Sequence, residues 1–290
     1  VKVLVIGASG YVGGGIARAL KRHGYDVTGT ARSPEAHKKV EALGAQAVAA
    51  DVRDPRSIAS AAREAGAVVY SVQLQGDDAF TVEQAALTAA LDALAGTAKP
   101  LIYTSGVWFY GDTGDRPAHE DQPGNPIALV AQRPALERLV LDSAQRNVRA
   151  IVVRPAMVYG QGGGIPMMLV QSAREHGAAR HVGDGANFWP MVHVDDVGEL
   201  YALAIERGKA GDIFNAADDS RLQVSDIARA ASKRAGGSGE TQTWPIENAR
   251  EAMGPFADAL ALSQVISNER GGSPHWWSSR PTPVIVELGA

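Results

Sequence analysis

"VLVIGASGYVGGGIARAL" sets Gly7, Gly10 and Gly13 in a GxxGxxG spacing directly after a β-branched run. The chemistry that spacing suits is phosphate binding. Gly7 permits a tight turn, Gly10 lets backbone approach a pyrophosphate, and Gly13 lets strand and helix pack closely, while the helix N-terminus faces the phosphate charge. Ser9, Tyr11 and Val12 belong to the same turn. A glycine-rich turn that holds no ligand is the alternative.

The end of the second strand, "GTARSPE", separates the dinucleotides. An acidic residue there binds a ribose 2′-hydroxyl, whereas a cation accepts a 2′-phosphate. Arg32 and Ser33 favour NADP(H) over NAD(H), the alternative being a solvated Arg that begins a loop. Asp51 closes "AVAAD" with Val52 beside it, suited to accept from an adenine amino group or to cap the helix over "PRSIASAA".

These residues need a scaffold. Short apolar runs ("VKVLVIG", "YDVTGTA", "AQAVAAD", "AVVYSV", "PLIYTS", "RAIVVRP") alternate with amphipathic stretches at 11–22 and 35–43. That alternation predicts an α/β fold, a Rossmann-type doubly wound parallel sheet whose strands are covered on both faces. Beyond about residue 160 the rhythm changes to "GQGGG", a helical stretch at 165–176 and "VGDGANFWPMVHVDDV". We expect an NADP-binding core over residues 1–160. Residues 161–290 should form mainly a smaller substrate-binding domain, with the chain returning to the core sheet near "DIFNAA".

Composition narrows the partners. A net charge of -4 with no long basic run argues against a nucleic-acid surface. The absence of cysteine removes disulfides and thiolate chemistry and fits a cytoplasmic protein. Seven scattered His residues form no HExxH pair, so no metal is expected. The opening apolar run is too short for a signal or membrane segment. A small-molecule substrate is the expected partner.

Taken together, "GASGYVG" at 7–13, Asp51, "YTSGVWFYG" at 103–111, "RPAMVYGQG" at 154–162 and "GDGANFWPMVHVDDV" at 183–197 carry a resemblance. Over nearly the whole chain the sequence resembles the extended short-chain dehydrogenase/reductase family, also called the NAD-dependent epimerase/dehydratase family. The resemblance implies that Ser71, Val72 and Gln73 line the cofactor ribose, that Pro155, Ala156 and Val158 line the nicotinamide, and that Tyr103 and Thr104 pass beneath it. It also implies a Tyr proton donor whose pKa is lowered by a Lys one helical turn later.

Counting back from Glu137 puts that pair at Leu129 and Arg133, and the family's Ser position, counted from Gly111, falls on Gly106 with Ser105 beside it. Leu129 cannot donate a proton. Arg133 can hold ribose hydroxyls and keep positive charge near the reacting oxygen, but it does not titrate near neutrality. An exposed helix Arg is the alternative, and Pro134 is expected to kink the helix. Tyr110, Tyr159, Ser105 or water remain as proton donors.

In nucleotide-sugar members an Arg follows the "GDG" turn and contacts phosphate; here that position is Trp189. Trp108, Phe109, Tyr110, Met157 and Tyr159 come from loops expected to converge, which implies an apolar, aromatic substrate pocket, or else packing at a domain junction. His193 reads as structural, Asp195 and Asp196 as caps of the next helix, and Trp276 and Trp277 as packing. Helices near 80–95 and 127–146 resemble the family's dimer bundle and suggest a homodimer.

Three functions compete. The first is an NADPH-dependent reductase, or the reverse dehydrogenase, for a small apolar or aromatic carbonyl or enone. The second is a non-catalytic NADP-binding sensor or partner protein, favoured by the missing Tyr. The third is a nucleotide-sugar epimerase or dehydratase, against which Trp189 and Leu129 argue.

Overall fold

The structure is a computed structural model that describes residues 1–218, 220–268, 277–279 and 283–289. By internal contacts the chain gathers into two compact units. The first takes Val1–Ser105, Gln132–Arg154 and Asp195–Phe214; the second takes Gly106–Ala131, Pro155–Val194 and Asn215–Ala290. Relative to a division near residue 160, residues 106–131 fall in the second unit and residues 195–214 in the first.

The apolar runs form strands β1 (Lys2–Ile6), β2 (Asp26–Ala31), β3 (Gln46–Ala49), β4 (Ala67–Tyr70) and β5 (Pro100–Thr104), joined by the strands Arg149–Pro155 and Ile213–Ala216. Their order in the sheet, from one edge, is Ile213–Ala216, Arg149–Pro155, β5, β4, β1, β2, β3. The pairings from β3 through to Arg149–Pro155 are all parallel. "DIFNAA" does bring the chain back to this sheet.

Helices α1 (Tyr11–Arg22), α2 (Pro34–Ala42), α3 (Pro55–Arg63) and α4 (Ala79–Leu94) make the crossovers. Two of them start on a capping residue followed by proline. Ser33 Oγ accepts the N–H of Ala36 to begin α2, and Asp54 accepts the N–H of Arg56 to begin α3. Proline in the first turn loses no helical hydrogen bond and has its φ preset. The cap of α3 is therefore Asp54 and not Asp51, which corrects one of the two sequence alternatives.

One sheet face buries Leu4, Ile6, Val68, Leu101 and Val152 against Leu87, Leu91 and Leu94 of α4. Each such aliphatic side chain contributes about 1.5–3 kcal/mol through burial. On α1 the neighbouring helix Val194–Arg207 packs so closely that a Cβ at Gly198 would lie 2.7 Å from the carbonyl oxygen of Gly15. Asp195 and Asp196 sit in the first turn of that helix, where carboxylates complement the helix dipole.

The single helix expected over 127–146 is broken. A 3-10 turn at Ala128–Val130 precedes α5 (Arg133–Asp142), and a second one follows at Ser143–Arg146. Pro134 is the reason: it stands in the first turn and starts α5 rather than kinking a longer helix. Leu129 and Arg133 thus do not share a helix.

The second unit has its own core. Helices Pro166–His176 and Val224–Arg234 bury Leu169, Val170, Val224 and Ile227 around the parallel strands Ala179–Val182 and Thr241–Trp244. Trp277 is buried; Trp276 lies outside the described residues.

Candidate functional site

The sheet order reverses at β1, which has β4 on one side and β2 on the other. Crossovers leave to opposite sides there, opening a crevice beyond the carboxyl ends of the strands. Gly7 follows β1 with φ +96°, a left-handed backbone that disfavours any side chain. A Cβ on Gly7 would collide with the Ser71 carbonyl, and one on Gly13 with the Gly7 carbonyl. Close approach, rather than the turn alone, makes both positions glycine. Gly10 is the N-cap of α1 and offers no side chain to cap it, so the positive end of the helix dipole is left for a ligand's charge.

A cavity of about 310 Å³ lies at this crevice. Gly7, Ser9 and Gly10 form one wall, Arg32, Asp51 and Val52 another, and Ser71, Val72 and Gln73 a third. The structure thus brings together nine residues singled out in the sequence. Tyr11, Val12 and Gly13 lie in the first turn of α1 and do not line the cavity.

Arg32 opens into the cavity beside Thr30, and no carboxylate stands at the end of β2. Ser33 is engaged as the cap of α2, although a hydroxyl that accepts from Ala36 can still donate. Asp51 Oδ1 accepts the N–H of Arg53 in a tight turn, which fixes the carboxylate at the cavity wall. The cavity wall thus carries one cation, Arg32, and one carboxylate, Asp51.

At the end of β5 the expected arrangement changes. Arg133 is only 4% exposed, which removes the reading of an exposed helix Arg. Its Nη1 donates to the Thr104 carbonyl at 2.6 Å and lies 3.4 Å from the Tyr103 hydroxyl. The guanidinium therefore secures the end of β5 and is not among the groups lining the cavity. Tyr103 is fully buried, and burial pushes its phenol well above the ordinary value despite the nearby Arg133. The Thr104 hydroxyl accepts from Tyr201 at 2.7 Å. Ser105 is buried, and its hydroxyl has no hydrogen-bond partner among the described residues.

Two buried charges, Arg154 and Glu83, were given no role in the sequence reading. Glu137 and Arg154 form a two-pronged ion pair at 3.0 and 2.6 Å, with both side chains nearly inaccessible. Glu83 sits on the core face of α4. Each had a signal: Arg154 interrupts the apolar run "RAIVVRP", and Glu83 lies three, four and seven residues before Ala86, Leu87 and Ala90 on one helical stripe. Thr30 was also missed, though strand alternation places it on the same face as Arg32.

In the second unit, the Tyr110 hydroxyl donates to Asn215 Oδ1 at 2.8 Å, and Asn215 Nδ2 donates to the Ser267 carbonyl. The amide is thereby oriented, and the Tyr110 proton is committed to it. Tyr159 packs edge-on to His193, which pairs with Glu287 at 3.1 Å. Trp108 meets Phe256 edge-on, and Phe109 meets Tyr110 in the same manner. Trp189 is buried and donates from Nε1 to the Leu260 carbonyl; beside Leu169, Val182 and Met253 it walls a small cavity of about 60 Å³. Met157, Ala156 and Val158 are also buried, and the Ala156 N–H is spent on the Ala216 carbonyl at 2.8 Å. Pro155 ends its strand in a buried position.

Known proteins supply the remaining bearing. The NAD dependent epimerase/dehydratase family matches residues 3–217. An uncharacterised protein of Saccharomyces cerevisiae is 29% identical over 297 residues, covering 100% of this chain and 98% of the relative. A 4-hydroxy-2-methyl-3-oxo-4-farnesyl-3,4-dihydroquinoline-1-oxide ketoreductase of Stigmatella aurantiaca is 25% identical, covering 87% of this chain and 78% of its own. Among solved structures, a UDP-glucuronic acid 4-epimerase from Bacillus cereus in complex with NAD aligns with a TM-score of 0.81 at 17% identity, covering 99% of this chain and 96% of that one. Among the described residues, no helix is long and apolar enough to cross a membrane.

Proposed function

This chain belongs to the NAD dependent epimerase/dehydratase family, and on that footing we propose that it is an NADPH-dependent oxidoreductase acting on a small apolar or aromatic carbonyl or enone. The observation that carries the cofactor choice is Arg32 in the cavity wall with no carboxylate at the end of β2. The reductase reading is supported by the similarity to a ketoreductase and by the aromatic residues gathered in the second unit.

In this reading the glycine turn and the N-terminus of α1 hold the pyrophosphate, Arg32 and Ser33 the 2′-phosphate, and Asp51 and Val52 the adenine, with Ser71, Val72 and Gln73 against ribose. When bound, the nicotinamide supplies the hydride. The proton has to come from elsewhere than Leu129. With Tyr110 committed to Asn215, the unpartnered hydroxyl of Ser105, or water, is the favoured carrier. Arg133 stabilises the site by holding the Thr104 carbonyl, so its part is to position β5.

Following NADPH oxidation across a panel of aromatic and alicyclic carbonyls and enones tests this. The absence of Tyr at position 129 favours a second reading, a non-catalytic NADP sensor. Tight NADPH binding with no turnover on any member of the panel would select it.

A further inference from the structure

Residues Ser71–Leu74 line one wall of the cavity and belong to no helix or strand. Something else must hold their shape. The near end is fixed where the Ser71 N–H donates to the Ile6 carbonyl at 2.8 Å. At the far end the Leu74 N–H donates to Glu83 Oε1 at 2.6 Å. Glu83 is 1% exposed, and its other oxygen has no hydrogen-bond partner among the described residues. One bond therefore joins the segment to the carboxylate beneath it.

Resting on the reading of this cavity as a dinucleotide site, we propose that Glu83 is a positioning residue that holds Ser71–Leu74 in its binding shape, so that dinucleotide affinity falls on mild acidification. A carboxylate makes a stronger hydrogen bond to an N–H than a neutral acid does, by roughly a factor of two in energy. Protonation also adds an O–H that must find an acceptor in a buried place.

The groups around Glu83 leave it as the member that titrates. Tyr70 of β4 and Tyr103 of β5 face it, and burial drives both phenols far above the ordinary range. The Arg133 guanidinium at the start of α5 attracts the negative charge of Glu83. From α3 come the apolar Ile58 and Ala62 of the same core. Burial raises the Glu83 carboxyl above the usual carboxylate value, with the Leu74 N–H and Arg133 pulling the other way. Its proton is taken up closer to neutrality than that of an exposed Glu.

The test measures NAD⁺ affinity by calorimetry from about pH 8 to about pH 5, for the full chain and for Glu83→Gln and Glu83→Ala. NAD⁺ is the probe because the 2′-phosphate of NADP⁺ itself titrates near pH 6. The unmodified protein should lose affinity as pH falls. Glu83→Gln keeps an acceptor for Leu74 but cannot titrate, so its profile should be flat by comparison. Glu83→Ala should bind about tenfold more weakly across the range, the worth of a hydrogen bond to a charged group.

A flat profile for the unmodified protein overturns the proposal even if neither variant folds. So does an acid limb that persists in Glu83→Gln, or a Glu83→Ala protein that melts earlier but binds as tightly. Failure of both NAD⁺ and NADP⁺ to bind at any pH would overturn the reading of the cavity itself, and this proposal with it.

Discussion

Arg154 reaches Glu137 with two nitrogens, Nε to Oε1 at 3.0 Å and Nη2 to Oε2 at 2.6 Å, and water reaches almost none of either side chain. The pair ties α5 to the strand Arg149–Pro155. Removing Glu137 takes from the buried Arg154 the carboxylate that two of its nitrogens meet. Glu137→Ala should cost about 3–5 kcal/mol of stability. Urea unfolding would check this, and a loss below about 1 kcal/mol would show that the pair is hydrated.

Cofactor preference should follow Arg32. A hydrogen bond to a charged group is worth roughly 1.5–3 kcal/mol, so NADPH should bind at least about tenfold more tightly than NADH. Arg32→Ala should erase most of that difference by weakening NADPH alone. Fluorescence titration of both cofactors reads it directly, and equal affinities in the unmodified protein would remove the 2′-phosphate assignment.

Gly13→Ala should be harmful although it sits in a helix, where alanine is normally the better residue. Its Cβ would strike the Gly7 carbonyl, which is backbone and cannot swing aside. Overpacking of this kind costs about 1–3 kcal/mol, and dinucleotide binding should weaken with it. A variant that is more stable than the parent and binds normally would refute the close approach.

Arg133 and Leu129 should behave differently from each other. Arg133→Ala removes a charged donor to the Thr104 carbonyl and should lower stability by about 1.5–3 kcal/mol. Arg133→Lys should recover only part, since an ammonium lacks the planar fork. Leu129→Phe should leave the pH profile of turnover unchanged, because Leu129 carries no proton. A shifted profile would mean that position 129 governs the proton donor after all.

His181 gives a second pH effect, in the other unit. Burial lowers its pKa, with its contact to the Gly183 carbonyl and Asp184 opposing. The unfolded chain then binds a proton at the ordinary His value of about 6.5 while the fold still resists it. Stability should be unaffected above that value, fall as pH drops through it, and level off below the lowered folded pKa. Melting temperature against pH for His181→Gln should show a smaller acid loss; an identical curve would exclude His181 as its source.

The period of the sequence was enough to read the sheet and the glycine turn. Strand alternation and glycine spacing are local, so β1–β5, α1 and the wall residues Gly7, Ser9, Gly10, Arg32, Asp51 and Ser71 were all legible one segment at a time. Counting residues failed where a local event reset the geometry. Pro134 starts a new helix, so the spacing between Leu129 and Arg133 no longer means one face.

Partnerships across the chain were beyond reach for another reason. A charged residue inside an apolar stripe announces that it is buried, as Glu83 and Arg154 do, but not what neutralises it. Glu83 meets Leu74 nine residues back, and Arg154 meets Glu137 seventeen residues back. Likewise Tyr110, a credible proton donor by type, is committed to Asn215, 105 residues away. The sequence determined which backbone forms and which side chains face inward, because those depend on neighbours three or four residues apart. Only the tertiary structure decided which buried polar groups satisfy one another, because in a water-free interior each must find its partner wherever the chain has brought one.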